Sequence, residues 1–259
     1  MMKKGLSIIL GATVVIAGCT KDGNLTGPAN TSMAYMSFTN ANANGKTVDF
    51  FVDNTKLNQA ASIAPNGTVT GTYVGVYPGE RLLEVKESST AATYYHNSNI
   101  TTLGGKSYSY IIYDTIKQGR FKGILLTSER KIDPSNGNCK VRFLNLSPKA
   151  PLVDLWFVRR VGAVAKDSIK VFSAVQSLSS VASPDATALS AYTDLAANQA
   201  AGAAGAGVPV SDYIIRAKVA GTNTILSSTA ATTLVNGRTY TFFLRGIYPG
   251  VGISSFLNN

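Results

Sequence analysis

Residues 140–157 read KVRFLNLSPKAPLVDLWF, and residues 35–52 read YMSFTNANANGKTVDFFV. At a constant offset of 105 the two stretches share a Phe, an Asn and a Val-Asp pair. The matching positions are Phe38, Asn40, Val48 and Asp49 in the first stretch, and Phe143, Asn145, Val153 and Asp154 in the second. Self-similarity of this kind is typical of a repeated structural unit. The stretch therefore predicts that the chain contains two copies of one fold.

Two further matches extend the repeat in the same order. GERLLEVK (79–86) matches SDYIIRAK (211–218), and GKSYSYII (105–112) matches GRTYTFFL (237–244), both at an offset of 132. The second copy therefore carries 27 more residues between its first and second matched blocks. ATALSAYTDLAANQAAGAAGAG, residues 186–207, is rich in Ala and Gly and poor in large apolar residues. We expect the extra residues there, as a surface loop with one or two helical turns, because glycine interrupts a helix.

Each copy consists of short runs of β-branched and aromatic residues, such as Val48–Val52, Tyr108–Tyr113 and Tyr240–Leu244. Such runs favour strands. Asn-Gly and Gly-Gly pairs punctuate them, and Gly104-Gly105 and Asn236-Gly237 directly precede a strand, as hairpin turns do. The pattern predicts an all-β protein of two tandem antiparallel, immunoglobulin-like β-sandwiches.

The predicted order of segments follows from these boundaries and from the amino terminus. It comprises a signal peptide (1–18), a flexible tether (19–30), a first sandwich (31–130), a polar linker with the sequence KIDPSNGN (131–138), and a second sandwich that contains the insertion (139–259).

The amino terminus resembles a lipoprotein signal. Lys3 and Lys4 precede an uncharged run from Gly5 to Gly18, which is too short to span a bilayer but fits a secretory signal. Ile16-Ala17-Gly18-Cys19 resembles the lipobox of bacterial lipoproteins, in which the cysteine carries a diacylglycerol and becomes the first mature residue. A signal peptide with a chance cysteine and a buried helix are the alternatives. We predict that Cys19 is the lipidation site, because several acyl chains anchor a protein stably.

The charge balance restricts the choice of partner. The chain has 24 Lys and Arg against 14 Asp and Glu, a formal +10, which becomes +8 once Lys3 and Lys4 leave with the signal peptide. The basic residues are scattered and no nucleic-acid recognition motif is present, so we predict no nucleic-acid partner. A bias towards anionic lipid or polysaccharide at the envelope is the better interpretation.

The second copy resembles the opening of domain-of-unknown-function family 4397. VRFLNLSPKAPLVDLWF (141–157) has a strand, an Asn-x-Ser-Pro-x-Ala-Pro turn, Val-Asp and a second strand, and GRTYTFFLRG (237–246) resembles the closing Tyr-Thr-rich strand. In the first copy Asn40 and Val48-Asp49 remain, but both prolines are missing. The resemblance implies secreted, often lipid-anchored β-sandwich modules of Gram-negative envelopes. It implies no activity, and a fold alone licenses none.

The Asn and Asp residues that the two copies share are predicted to stabilise turns rather than to bind a ligand. We expect Asn40 and Asn145 to bond loop backbone, as Asx residues do, and Asp49 and Asp154 to accept turn amides. Calcium binding is the alternative, although no dense Asp-x-Asp-x-Asp cluster accompanies them. We predict no bound metal and no cofactor.

Catalytic motifs are lacking. His96 is the one histidine, no Gly-x-Ser-x-Gly elbow exists, and His96 with Cys139 supplies too few ligands for zinc. With Cys19 acylated, Cys139 has no partner for a disulfide, and we predict a buried thiol. Tyr73, Tyr77, Tyr94 and Tyr95 lie near predicted turns, where they either pack into the core or stack on a sugar or a partner protein.

The sequence therefore predicts a non-enzyme: a lipid-anchored envelope protein that binds a protein or polysaccharide at the surface or acts as a structural module. An accessory lipoprotein that binds carbohydrate for glycan uptake is the alternative, and a paired-carboxylate hydrolase ranks last. Thr20 replaces the Asp that retains enteric lipoproteins in the inner membrane, and Lys21-Asp22 resembles a surface-export signal. We therefore predict the outer membrane, with display at the cell surface.

Overall fold

A computed structural model describes residues 32–58, 61–67, 73–130, 137–197 and 210–258, without the side chains of residues 95–99, 210 and 211. Ser32–Asn259 form one compact unit. The predicted signal peptide and tether, Cys19 and most of the predicted linker lie outside the described residues. No helix in the described ranges is long and apolar enough to cross a bilayer.

The first sandwich is made of eight strands in two sheets. The strands are β1 (Ala34–Asn42), β2 (Val48–Val52), β3 (Thr55–Lys56), β4 (Val74–Val76), β5 (Gly79–Glu87), β6 (Thr93–Thr102), β7 (Ser107–Lys117) and β8 (Arg120–Ser128). One sheet has the order β4-β1-β7-β8, and the other has the order β3-β2-β5-β6.

The second sandwich repeats this topology. Its elements are β9 (Asn138–Asn145), β10 (Val153–Val161), β11 (Val164–Val175), a 3₁₀ turn (Leu178–Ser180), α1 (Ala186–Ser190), β12 (Thr193–Ala196), β13 (Val210–Val219), β14 (Ile225–Ser228), β15 (Thr232–Val235), β16 (Thr239–Arg245) and β17 (Gly252–Leu257). The sheet orders are β12-β9-β16-β17 and β11-β10-β13-β14, with β15 also paired to β13. The predicted all-β fold of two repeated sandwiches is confirmed.

Each sandwich contains one parallel strand pair that the sequence did not predict. β1 pairs in parallel with β7, and β9 pairs in parallel with β16. The pairs join strands that are far apart in sequence, so no local turn signal announces them. The other strand pairs among the described residues are antiparallel, as predicted.

Alternating apolar residues of the facing sheets build a separate core in each sandwich. In the first core Phe38, Phe50 and Tyr110 pack together, with ring centroids 4.9 Å apart between the two Phe residues. In the second, Phe157 meets Phe242 edge to face at 5.4 Å. Successive side chains of a strand point to opposite faces, and these aromatic residues lie on the inner faces of the sheets.

A third apolar cluster joins the two sandwiches. Sheet β4-β1-β7-β8 turns its outer face towards sheet β12-β9-β16-β17, and both faces supply fully buried side chains. We call this the interface cluster, and its buried members are Ala41, Ile111, Tyr113, Ile124, Leu126, Leu144, Leu146, Leu178 and Phe243. Burial on both faces of the central strands explains why β7 and β16 carry consecutive buried apolar residues, Tyr110–Tyr113 and Phe242–Leu244, rather than alternating ones.

The prediction of a surface loop at 186–207 is wrong for residues 186–197, which form α1 and the paired strand β12. Asp185 caps α1 by accepting from the amides of Thr187 and Ala188, and β12 adds an edge strand to β9. Leu195 is buried in the second core, and Leu189 packs against the interface cluster. The helical turn itself was predicted correctly, whereas the packing of a few apolar residues was hidden by the Ala/Gly-rich composition. Residues 198–207 lie outside the described residues.

Much of the extra length lies instead in the β10–β11 hairpin. β10 has nine residues where its counterpart β2 has five, and β11 has twelve where β3 has two. Gly162 takes φ +60° in the turn of this hairpin, a conformation that glycine adopts without strain. The insertion is therefore shared between this hairpin and the segment that follows it.

Candidate functional site

A shallow groove lies on the outer face of the second sandwich, over β10, β11 and β13. It encloses about 240 Å³ and is lined by Trp156, Val158, Ala165, Lys166, Asp167, Ser168, Arg216 and Lys218. Strand pairing places Trp156 opposite Lys170 on one side and Arg216 on the other. Adjacent strands thus bring into one row residues that are far apart in sequence.

Trp156 forms the centre of the groove. Lys218 Nζ lies 4.7 Å and Lys170 Nζ 5.9 Å from its ring centroid, distances at which a cation is attracted by the ring face. The indole Nε1 is buried and has no hydrogen-bond partner among the described residues. The centre of the groove therefore combines an aromatic surface with two ammonium groups.

The groove retains a surplus of positive charge. Lys170 pairs with Asp154 at 3.4 Å, and Arg159 forms an ion pair with Asp167. Lys166, Arg216 and Lys218 form no ion pair in the described part of the chain. These three cations attract an anionic group more strongly than a neutral one.

The first sandwich carries the same arrangement in a neutralised form. Phe51 replaces Trp156, with Lys86 Nζ 4.5 Å from its ring centroid, and Lys56 pairs with Asp49 at 3.0 Å. Glu84 stands where the second copy has Arg216, and it pairs with Lys86 at 3.3 Å.

The two copies therefore differ by a charge reversal at one position on an otherwise matching row. The second difference is the hairpin wall, the side of the groove that the β10–β11 hairpin forms. Its residues belong to the lengthened β11 and are Ala165, Lys166, Asp167 and Ser168. Only the second copy has both the wall and the unpaired cations among the residues described.

The predicted structural role of the Asn residues is confirmed in both copies. Asn40 Nδ2 donates to the carbonyls of Lys46 and Ile63 at 2.9 and 2.8 Å. Asn145 Nδ2 donates to those of Pro151 and Val175 at 3.3 and 3.2 Å. Both side chains are fully buried. Each Asn thus bonds the turn that follows its own strand, β1 or β9, and also a residue further along the chain, beyond β2 or β10.

The prediction that the Asp residues accept backbone amides is confirmed for Asp154, whereas the described partners of Asp49 are side chains. Asp154 accepts from the amides of Ala174 at 2.8 Å and Gly221 at 3.3 Å, and the bond from Ala174 is the main cause that lowers its pKa. For Asp49, burial opposes ionisation, but bonds from Asn58 and Lys56 lower its pKa overall. No group of three or more His, Cys, Asp or Glu gathers in the described ranges.

The remaining candidates do not converge on one site. Cys139 is buried in the second core as predicted, and burial raises the pKa of its thiol to about 12, so it is unreactive near neutral pH. His96 lies on β6 opposite Glu84, with its side chain outside the described set, as is that of Tyr95.

The predicted aromatic residues divide between packing and exposure. Tyr73 is buried and donates to Asn258 Oδ1 at 3.1 Å, and Tyr94 packs edge to face on Phe121 at 5.2 Å. Tyr77 is 71% exposed. The packing interpretation is thus confirmed for Tyr73 and Tyr94, and contact with a partner stays open for Tyr77.

Sequence reasoning missed the groove. Its cations are separated by about 50 residues and converge only through strand pairing. The internal alignment held the relevant signal, since an offset of 132 sets Glu84 against Arg216.

The comparison with protein families agrees with the repeat. Residues 34–156 match the model of a domain of unknown function, DUF4397. No curated protein matches this chain. The matched range covers the first sandwich and continues through β9 into β10 of the second, across the same strand–turn–Val-Asp pattern that both copies share. The resemblance to the DUF4397 family is therefore confirmed over residues 34–156.

Proposed function

We propose that this protein is a non-catalytic, lipid-anchored envelope module that binds acidic polysaccharide in the groove around Trp156. The observation that carries the proposal is the contrast between the two copies: one outer face is neutralised by Glu84, and the other keeps Arg216, Lys166 and Lys218 without acidic partners in the described ranges. A duplicated scaffold needs no charge reversal to fold, so the reversal points to a ligand.

The groove suits a saccharide better than a flat protein surface. It is small and open, its centre is an aromatic ring, and its rim carries cations on long side chains. Sugar rings present both an apolar face and hydroxyl groups, which match an aromatic ring with nearby donors. Carboxylate or sulfate groups on the polymer would pair with Arg216, whose planar guanidinium binds such groups in bidentate fashion.

Affinity electrophoresis tests the binding. In native gels containing polygalacturonate, at an ionic strength of about 0.15 M to screen long-range charge, we expect the protein to be retarded, but not in gels containing neutral dextran. Arg216→Glu should weaken the interaction about tenfold or more, because it places a repulsive charge at the centre of the groove.

Arg120→Glu is the matched control, since it makes the same charge change at the exposed first residue of β8, in the other sandwich. It should leave the retardation nearly unchanged. Equal losses in the two variants, or no retardation by the acidic polymer, would contradict the proposal.

The proposed anchor is Cys19, and the proposed location is the outer membrane with the domains facing outward. The support is the sequence of residues 1–22, described above. Metabolic labelling with a palmitate analogue should tag the wild type and miss Cys19→Ser. Protease added to intact cells should remove the sandwiches and spare a periplasmic marker, and full protection would place them inside.

A further inference from the structure

The described chain begins at one end of the first sandwich. Met33 accepts from the amide of Gly105 at 3.0 Å, and Tyr35 donates to the carbonyl of Lys106 at 2.9 Å. Ser32 therefore lies against the turn between β6 and β7. We call this end of the two sandwiches the entry end.

The second sandwich presents its corresponding end at the same level. Ser109 and Thr241 are equivalent residues of β7 and β16, and Asn258 bonds both, at 3.4 and 2.9 Å. A second contact sets the direction: Lys122, which is opposite Tyr113 further along β7, donates to the carbonyl of Ser179. Ser177, beside it, donates to the carbonyl of Ser147, which follows β9, the parallel neighbour of β16. The matching strands β7 and β16 thus run in the same direction. The β10–β11 turn lies at this end too, because Arg160 pairs with Asp212 near the start of β13.

The entry end carries the most exposed large apolar side chains of the described residues. Tyr77 is 71% exposed, Leu103 59%, Val164 57% and Val161 53%, and Ile169 at 53% lies on the same hairpin as the two valines. Tyr77 belongs to this end because its carbonyl accepts from Thr102, beside the same turn as Leu103. The exposed apolar residues on the turns of the opposite end, Leu152, Ile225, Ile247 and Tyr248, are less exposed, at 39–49%. The most exposed apolar side chains thus gather on loops at one end, which marks that end as an interaction surface.

Basic residues surround these loops. Apart from the groove residue Lys166, the cations at this end that form no ion pair in the described ranges are Lys106, Arg130, Arg160 and Arg238, against the acids Glu80, Asp194 and Asp212. Apolar tips with a basic surround match a bilayer that has anionic headgroups, where the tips enter the headgroup boundary and the cations stay at its surface.

We propose that the entry end rests on an anionic lipid bilayer, with the Tyr77, Leu103 and Val161–Val164 loops in contact with the headgroup region. The inference draws on the proposed acylation of Cys19, since only twelve residues separate Cys19 from Ser32. A chain of that length reaches at most about 45 Å even when fully extended. Such a tether raises the effective concentration of the loops at the bilayer. The contact fixes the orientation of the molecule and leaves the groove at its side accessible.

Site-specific fluorescence tests the contact independently of the anchor. Residues 32–259, which form one compact unit with their own cores, are tethered by an amino-terminal histidine tag to vesicles of phosphatidylethanolamine and phosphatidylglycerol that contain a nickel-chelating lipid. An environment-sensitive dye is attached at Ala163→Cys in the β10–β11 turn. Cys139 is buried with its pKa raised to about 12, so it should remain unlabelled.

We expect the emission of the dye at Ala163 to shift to the blue on vesicles and to be quenched by nitroxide-labelled lipid. The matched control is Ser89→Cys, in the exposed turn after β5 at the opposite end, which should show neither effect. Replacing Val161 and Val164 by serine should remove the shift.

An unchanged emission at Ala163, or equal responses at Ala163 and Ser89, would overturn the proposal; the first result would assign these loops to a protein partner. Because the histidine tag supplies the attachment, failure of Cys19 to incorporate palmitate would refute the proposed anchor without altering this outcome.

Discussion

Gly123 shows how a single residue can be required by packing rather than by backbone conformation. It lies on β8, and a Cβ placed there would meet the Tyr110 hydroxyl at 1.9 Å and its Cζ at 2.6 Å. Tyr110 is itself buried in the first core, edge to face with Phe50 at 6.2 Å. The ring thus crosses over the neighbouring strand and occupies the space that a side chain would need.

We therefore expect Gly123→Ala to lower the free energy of unfolding by about 1–3 kcal/mol, because the Tyr110 ring must move within a packed core. Urea denaturation followed by far-ultraviolet circular dichroism, which reports on the strands of both sandwiches, would measure the change. Gly75→Ala on β4 is the control, since its Cβ would meet only ordinary contact at 3.5 Å. Equal effects from the two substitutions would contradict this explanation.

At the same scale, the sequence predicted some residues well and others not at all. Asn40, Asn145 and Asp154 bond backbone groups as predicted, because short polar side chains beside turns do so, whereas the described partners of Asp49 are side chains. Gly123 could not be predicted, since its constraint depends on the path of a side chain from another strand. Hydrogen bonds of polar side chains beside turns can be predicted from a sequence, whereas a close contact between residues of two strands depends on the three-dimensional structure.

At the scale of elements, β12 shows the limit of composition as a guide. TDLA looks like loop sequence, yet β12 pairs with β9 from Thr193 to Ala196. Leu195, only 4% exposed, is its one large contribution to the second core. The neighbouring strand fixes the backbone, so a single apolar residue at the right register is sufficient to hold the element in place.

Leu195→Ala should consequently lower the free energy of unfolding by about 2–4 kcal/mol, the usual cost of a cavity in a core. Thermal unfolding by circular dichroism would detect it as a lower midpoint. Leu257→Ala on β17 supplies the control, since that leucine is 38% exposed and should cost under about 1 kcal/mol. A Leu195→Ala protein with the wild-type midpoint would mean that β12 is dispensable.

For the whole molecule, the interface between the sandwiches has a polar half beside its apolar cluster. Arg142 is 1% exposed and donates to the carbonyl of Thr127 at 2.7 Å, to Ser128 Oγ at 3.2 Å and to Thr241 Oγ1 at 2.9 Å. Its guanidinium also lies 4.8 Å from the ring centroid of Tyr192. Burial lowers the pKa of Arg142, yet an arginine keeps its charge at neutral pH. One side chain therefore links the last strand of the first sandwich to two strands of the second.

Arg142→Ala should separate the unfolding of the sandwiches, because Thr127 and Ser128 lose their donors in a buried setting. We expect a loss of about 2–4 kcal/mol and a calorimetric transition that broadens or divides in two. Arg120→Ala, which removes an exposed arginine, should leave a single transition at the wild-type temperature. A single unshifted transition for Arg142→Ala would show that the apolar cluster alone joins the sandwiches.

The sequence anticipated the duplication and the all-β class, because matched blocks and turn pairs are local features. It did not anticipate that the sandwiches share a core, since the residues of the interface cluster read as ordinary strand residues. Nor did it reveal the groove, whose lining residues come together from three strands and whose cations come from two of them, β11 and β13. Association between distant segments is the part of this fold that local patterns do not encode.

The parallel pairing of β1 with β7 has a mechanical consequence. A pull on Ser32 acts along β1, and the ladder to β7 extends from Tyr35 to Asn42. Force in that direction loads these hydrogen bonds in shear, all together, rather than peeling them apart one after another. If the chain is anchored through its amino terminus and binds a polymer, as proposed, tension between the two passes through this shear-loaded ladder.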